Sequence, residues 1–111
     1  FDTSHVAQMG ADVEASFASL APWIRHLHLA NSVSVNRNNP LFGDKHPLFG
    51  VKDGDFTIAD IRKHFCALKE QNMLRNVDIC SLEVISRGDN DWYYDRISEQ
   101  AAEIWKGESI L

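Results

Sequence analysis

The chain has 111 residues, of which 44% are hydrophobic and 24% are charged, a composition typical of one globular domain. The formal net charge of −5 argues against a surface built for nucleic acid or an anionic membrane, because such surfaces cluster Lys and Arg. No apolar run approaches the roughly 20 residues that span a bilayer, so we expect a soluble cytoplasmic protein. Cys66 and Cys80 lack the close spacing of metal or redox motifs and are predicted to be buried thiols.

The first half of the chain predicts a helix, a strand and a long loop. Apolar residues at helical spacing predict a helix over 11–21, which Pro22 ends. The run WIRHLHLA predicts a strand over 23–30. Residues 31–56 are rich in Asn, Gly and Pro and predict a loop long enough to indicate function or disorder.

The second half predicts two helices around one strand. Thr57 and Asp60 have the spacing of a capping box before a helix over 57–71. The run VDICSLEVI predicts a buried strand over 77–85, and a last helix is predicted over 91–106. Because alternating strands and helices favour parallel pairing, we expect an α/β sheet or barrel whose first strand ends just before residue 2.

Residues that commonly ligate metals follow each predicted strand. In parallel α/β folds the site forms beyond the carboxyl ends of the strands, so these side chains are expected to converge. Carboxylates mixed with imidazoles suit Mn²⁺, Mg²⁺, Co²⁺ or Zn²⁺. The six candidates are Asp2, His5, His28, Asp44, His46 and Glu83.

Four motifs occur in a fixed order along the chain: FDTSH, HLHLAN, GDKHPLFG with a following DGDF, and SLEV. Together they resemble the last three βα units of the xylose-isomerase-like TIM barrels, a superfamily of sugar isomerases and epimerases that also contains the endonuclease IV type of DNA repair enzyme. The resemblance implies that residues 1–111 are the C-terminal portion of one (β/α)8 barrel, about strands 6–8, with the first five βα units absent. Such a fragment alone is expected to be inactive.

The resemblance also implies roles for individual residues. Asp2, His28 and Glu83 are similar to the metal ligands of the superfamily. The other three candidates are similar to residues that contact substrate or bind an additional metal, namely His5, Asp44 and His46. His26 is expected to be a structural residue that supports a neighbouring ligand from below the metal.

The function implied first is a divalent-metal-dependent sugar or sugar-phosphate isomerase or epimerase, which moves a proton through an enediolate. Glu83 is predicted both to ligate the metal and to take part in proton transfer. One alternative is a zinc phosphodiesterase acting on abasic DNA, although the acidic charge disfavours a nucleic-acid partner. Another is a non-catalytic TIM-barrel domain. The expected partner is a small sugar molecule. The sequence leaves open whether the protein forms a homo-oligomer.

Overall fold

The structure is a computed structural model that describes residues 1–88 and 90–107. Four helices and two strands occur within these ranges, together with one short 3₁₀ turn. In chain order they are α1 (Thr3–Gln8), α2 (Val13–Leu20), the 3₁₀ turn (Ala21–Trp23), β1 (His26–Leu29), α3 (Ile58–Glu70), β2 (Ile79–Leu82) and α4 (Asn90–Ile104).

The two strands form a parallel sheet in which His28 is the register partner of Ser81. Because side chains alternate along a strand, Leu27 and Leu29 point to one face and His26 and His28 to the other. Both leucines are fully buried in the core, whereas the two histidines are at least partly exposed. The sheet therefore has one face covered by helices and one open face that carries imidazoles.

The prediction of a TIM-barrel fragment made of three βα units is wrong. The described residues form two strands, and the fold is a small α/β-like arrangement of a two-stranded parallel sheet with helices. The predicted first strand is reduced to a single bridge between Asp2 and His28. Next to this bridge, the Phe1 nitrogen donates to the His26 carbonyl at 2.9 Å, and the Phe1 carbonyl accepts from the His28 N–H at 2.8 Å.

The helices begin where side chains satisfy free backbone N–H groups. Asp12 caps α2 by accepting a hydrogen bond from the Ala15 N–H at 2.7 Å. Thr57 and Asp60 form the predicted capping box of α3. That helix therefore lies within one residue of its predicted bounds at each end.

The core is continuous from the helices to the sheet. Phe17 of α2 contacts Phe65 of α3 edge to face, with ring centroids 5.9 Å apart. Leu27 and Leu29 of β1 belong to the same buried cluster. This packing anchors β1 from one side, and it leaves the opposite face of the strand free to display His26 and His28.

The predicted loop over 31–56 follows an ordered path fixed by Asn31, which is fully buried. The Asn31 side chain donates to the Leu48 carbonyl at 3.0 Å and accepts from the Phe56 N–H at 2.8 Å. Gly54 makes this path possible, because a Cβ at that position would lie 2.9 Å from Asn31 Nδ2 and 2.9 Å from the Val51 carbonyl oxygen. The loop is therefore tied to the end of β1 at several points.

The sequence also predicted that no segment is apolar enough to span a bilayer and that Cys66 and Cys80 are buried thiols. No helix in the described ranges has the length and apolar character required to cross a bilayer. Cys66 and Cys80 are free thiols, and both are partly rather than fully buried. Burial raises the pKa of Cys80 to about 11, so this thiol stays protonated at neutral pH.

Candidate metal centre

Asp2 lies at the junction of α1 and the sheet. Its Oδ1 atom accepts hydrogen bonds from the Ser4 N–H at 2.8 Å and from the Ser4 hydroxyl at 2.6 Å, which makes Asp2 the N-cap of α1. The His28 N–H donates to the Phe1 carbonyl at 2.8 Å and so holds Asp2 beside β1. The second carboxylate oxygen, Oδ2, remains directed to neighbouring imidazoles.

Asp2, His28 and Glu83 come together as the first candidate group. The Nδ1 atom of His28 lies 3.0 Å from Glu83 Oε2 and 3.8 Å from Asp2 Oδ2. Glu83 follows β2 directly, and its N–H donates to the Leu29 carbonyl at 2.9 Å, so β1 positions it. One ligand atom from each of the three side chains lies within 4.8 Å of the others.

Asp2, His5 and His46 form a second candidate group, with ligand atoms likewise within 4.8 Å of one another. His5 lies in α1, and its Nδ1 atom is 3.9 Å from Asp2 Oδ2. Because Asp2 belongs to both groups, its carboxylate is shared between two adjacent sets of ligands.

Asp44 connects the histidines of the second group. Its Oδ1 atom lies 2.7 Å from His46 Nε2 and 3.2 Å from His5 Nε2. Slight burial of Asp44 opposes ionisation, but the attraction of His46 and hydrogen bonds from both histidines outweigh it and lower the pKa of this carboxyl. Asp44 is therefore a stable anion that orients both rings.

His46 is held in an unusual environment. It is buried, its backbone φ of 47° lies in the left-handed region, and its Nδ1 atom is buried without a hydrogen-bond partner in the described part of the chain. The Ile85 N–H donates to the His46 carbonyl at 2.9 Å, which attaches the loop to the segment after β2. A buried imidazole nitrogen without a partner is the kind of atom that a metal ion would satisfy.

The donor set of the first group fits a divalent cation. It offers two carboxylates and one imidazole without any thiolate, which suits Mn²⁺, Mg²⁺, Co²⁺ or Zn²⁺. The side chains are open to solvent, with 39% of His28 and 44% of Glu83 exposed, whereas Asp2 is only 14% exposed. An ion and a small ligand would both have access to this position.

The remaining predicted residue, His26, belongs to neither candidate group. It lies on the same face as His28, and its Nε2 atom is 2.9 Å from the Ser81 hydroxyl oxygen on β2. Two residues near the site were not predicted, namely Ser4 and Ser81. Ser4 lies two residues after Asp2, a residue type that often caps helices, whereas Ser81 could be found only from the register between β1 and β2.

Comparison with protein-family models, with curated proteins and with solved structures gave no match to this chain.

Proposed function

We propose that the protein is a divalent-metal-dependent sugar or sugar-phosphate isomerase or epimerase. The observation that carries the proposal is the meeting of Asp2, His28 and Glu83 from three separate segments at a solvent-accessible position. The four sequence motifs, which resemble those of the xylose-isomerase-like superfamily, also support the proposal, and this support does not depend on the fold. Two free thiols fit a reducing compartment, and we place the protein in the cytoplasm as part of the proposal.

In the proposed reaction, a bound ion and the side chains of Glu83 and His5 have separate roles. A bound divalent ion would polarise a carbonyl and the adjacent hydroxyl of the substrate, which makes the intervening C–H proton easier to remove. Glu83, partly exposed beside His28, takes part in moving that proton. His5, whose side chain is 56% exposed, faces solvent beside Asp44 and can donate to a substrate oxygen.

Deuterium exchange tests this function directly. The protein is incubated in D₂O with Mn²⁺ or Co²⁺ and a panel of aldoses, ketoses and their phosphates, and proton NMR follows the C–H next to each carbonyl. The expected inactivity of the chain alone rested on an incomplete barrel, which the fold contradicts. We therefore expect exchange with at least one sugar, and we expect Glu83→Gln to abolish it. Glu70→Gln is the matched control, because Glu70 is an exposed residue at the end of α3.

A metal-dependent phosphodiesterase is the second candidate, and the two ligand groups that share Asp2 favour it. Adjacent metal ions are a common device for phosphate-ester hydrolysis, because they stabilise both the attacking and the leaving oxygen. The net charge of −5 disfavours a nucleic-acid substrate. Cleavage of an abasic DNA duplex without exchange on any sugar would contradict the isomerase proposal and support this one.

A further inference from the structure

Ser81 lies on the open face of the sheet, opposite His28. The parallel register pairs these two residues, so their side chains leave the sheet on the same side. Ser81 lies inside β2, so it neither caps a helix nor belongs to a turn. Its hydroxyl is instead 2.9 Å from the Nε2 atom of His26.

His26 in turn packs against His28. The two rings are T-shaped, with centroids 4.3 Å apart and planes at 82°. Ser81, His26 and His28 therefore form a continuous chain of contacts that runs from the β2 hydroxyl to the imidazole of the first candidate metal group.

The orientation of His28 needs such support. Its Nδ1 atom faces Glu83 at 3.0 Å and Asp2 at 3.8 Å, so the orientation of the ring decides whether this nitrogen points at both carboxylates. Metal-ligating histidines are ordinarily oriented by a hydrogen bond from the second ring nitrogen. In this site the edge-to-face contact with the His26 ring, with 4.3 Å between the centroids, can restrict the rotation of the His28 ring.

We propose that Ser81 is a positioning residue for the metal centre. Its hydroxyl fixes the imidazole of His26, and the fixed ring of His26 holds His28 with Nδ1 directed at Asp2 and Glu83. This inference rests on the proposed metal site, although the contacts themselves are formed without an ion.

Cobalt binding by three variants tests the inference. Ser81→Ala removes the hydroxyl, and Ser81→Thr retains it in a residue suited to strands. His26→Phe keeps a ring against His28 but cannot bond to Ser81. We expect Co²⁺ affinity, measured by absorption titration, to fall about tenfold in Ser81→Ala and His26→Phe, and to stay within about twofold of wild type in Ser81→Thr.

Two further measurements separate positioning from stability. Ser19→Ala, at an exposed serine of α2, should bind Co²⁺ as the wild type does. Thermal unfolding without metal should change by no more than about 2 °C in Ser81→Ala, since the hydroxyl lies on the open face of the sheet. Unchanged Co²⁺ affinity in Ser81→Ala would overturn the inference.

The NMR spectrum of the metal-free protein tests the positioning role of Ser81 separately from the proposed function. The His28 ring resonances should be sharp in wild type and in Ser81→Thr, and they should broaden or shift in Ser81→Ala as the ring gains alternative orientations. If the wild type binds no Co²⁺, the metal proposal fails. Identical His28 ring signals in wild type and Ser81→Ala would show separately that Ser81 does not position His28.

Discussion

The Nδ1 atom of His28 lies 3.0 Å from the Oε2 atom of Glu83, and this contact joins the two strands at one end of the sheet. The relationship depends on the backbone, because the Glu83 N–H is bonded to the Leu29 carbonyl at 2.9 Å. An imidazole and a carboxylate held this closely, with Asp2 Oδ2 3.8 Å from the same nitrogen, form a compact set of candidate metal ligands.

Divalent metal should raise the thermal stability of the protein. An ion that binds the folded ligand group, but not the dispersed side chains of the unfolded chain, stabilises by about 2.7 kcal/mol at a concentration of 100 Kd. Differential scanning fluorimetry with Mn²⁺ or Co²⁺ should therefore show an increase in Tm, and His28→Gln should remove the increase. His64→Gln is the control, because His64 contacts Glu14 Oε1 at 2.9 Å instead of the candidate ligands. A metal-dependent increase that survives in His28→Gln would contradict this assignment.

Asp2→Asn should separate the role of Asp2 as the N-cap of α1 from its proposed role as a metal ligand. An Asn at this position still caps α1 by accepting the hydrogen bond from the Ser4 N–H, so we expect a loss of less than about 1 kcal/mol in the free energy of unfolding. The lost negative charge should weaken metal binding by at least about tenfold. Asp12→Asn makes the same change at the N-cap of α2, and isothermal titration should show its metal affinity unchanged. Equal effects of the two substitutions on metal binding would remove Asp2 from the site.

Asn31→Ala should destabilise the whole loop over 31–56. The substitution leaves the Phe56 N–H and the Leu48 carbonyl without their side-chain partner in a buried place, which costs about 1–3 kcal/mol for an unsatisfied group. Urea unfolding should report this loss, and the candidate group that contains His46 should lose metal affinity with it. Asn38→Ala, an exposed position in the same loop, should unfold within about 0.5 kcal/mol of wild type.

The capping box of α3 should make stability depend on pH. The backbone hydrogen bond from Thr57, followed by the bond from its hydroxyl, lowers the pKa of Asp60 below the ordinary value of 3.8. Since the folded pKa is depressed, this contribution is fully present above the unfolded pKa and is lost as the pH falls through the folded pKa, below about pH 4. Asp60→Asn should therefore show a smaller decrease in unfolding free energy between pH 6 and about pH 2.5 than wild type does. Urea titrations at the two pH values measure the difference, and equal decreases would exclude Asp60 as a contributor.

Local signals predicted the bounds of α3 better than the bounds of the two strands, and they did not reveal α1. The apolar stripe and the Thr57–Asp60 box lie within α3 itself, so its predicted bounds of 57–71 agree closely with Ile58–Glu70. The predicted strand over 23–30 shortens to His26–Leu29 because Ala21–Trp23 forms a 3₁₀ turn. The strand predicted over 77–85 shortens to Ile79–Leu82, since a ladder extends only as far as both partners do.

The start of the chain combines a strand end that was expected with a helix that was not. Asp2 and His5 were expected to follow the end of a strand; Asp2 forms a parallel bridge with His28, and it also caps a helix that begins at Thr3. Asp is a preferred N-cap residue, so the sequence carried a local signal for this helix, although the backbone of Phe1 also pairs with β1. A barrel inferred from motif order required pairing that the described residues do not make.

Residue types and local patterns were enough to predict carboxylates and imidazoles at six candidate positions, a capped helix over most of 57–71, and an acidic chain. The fold was needed to show that Asp2 belongs to two candidate groups, that Asp44 connects His5 to His46, and that Ser81 contacts His26. Residue type and local periodicity are properties of neighbours along the chain. Distances between side chains depend on strand register and on the path of the loop over 31–56, which buried hydrogen bonds and core packing fix only when the chain folds.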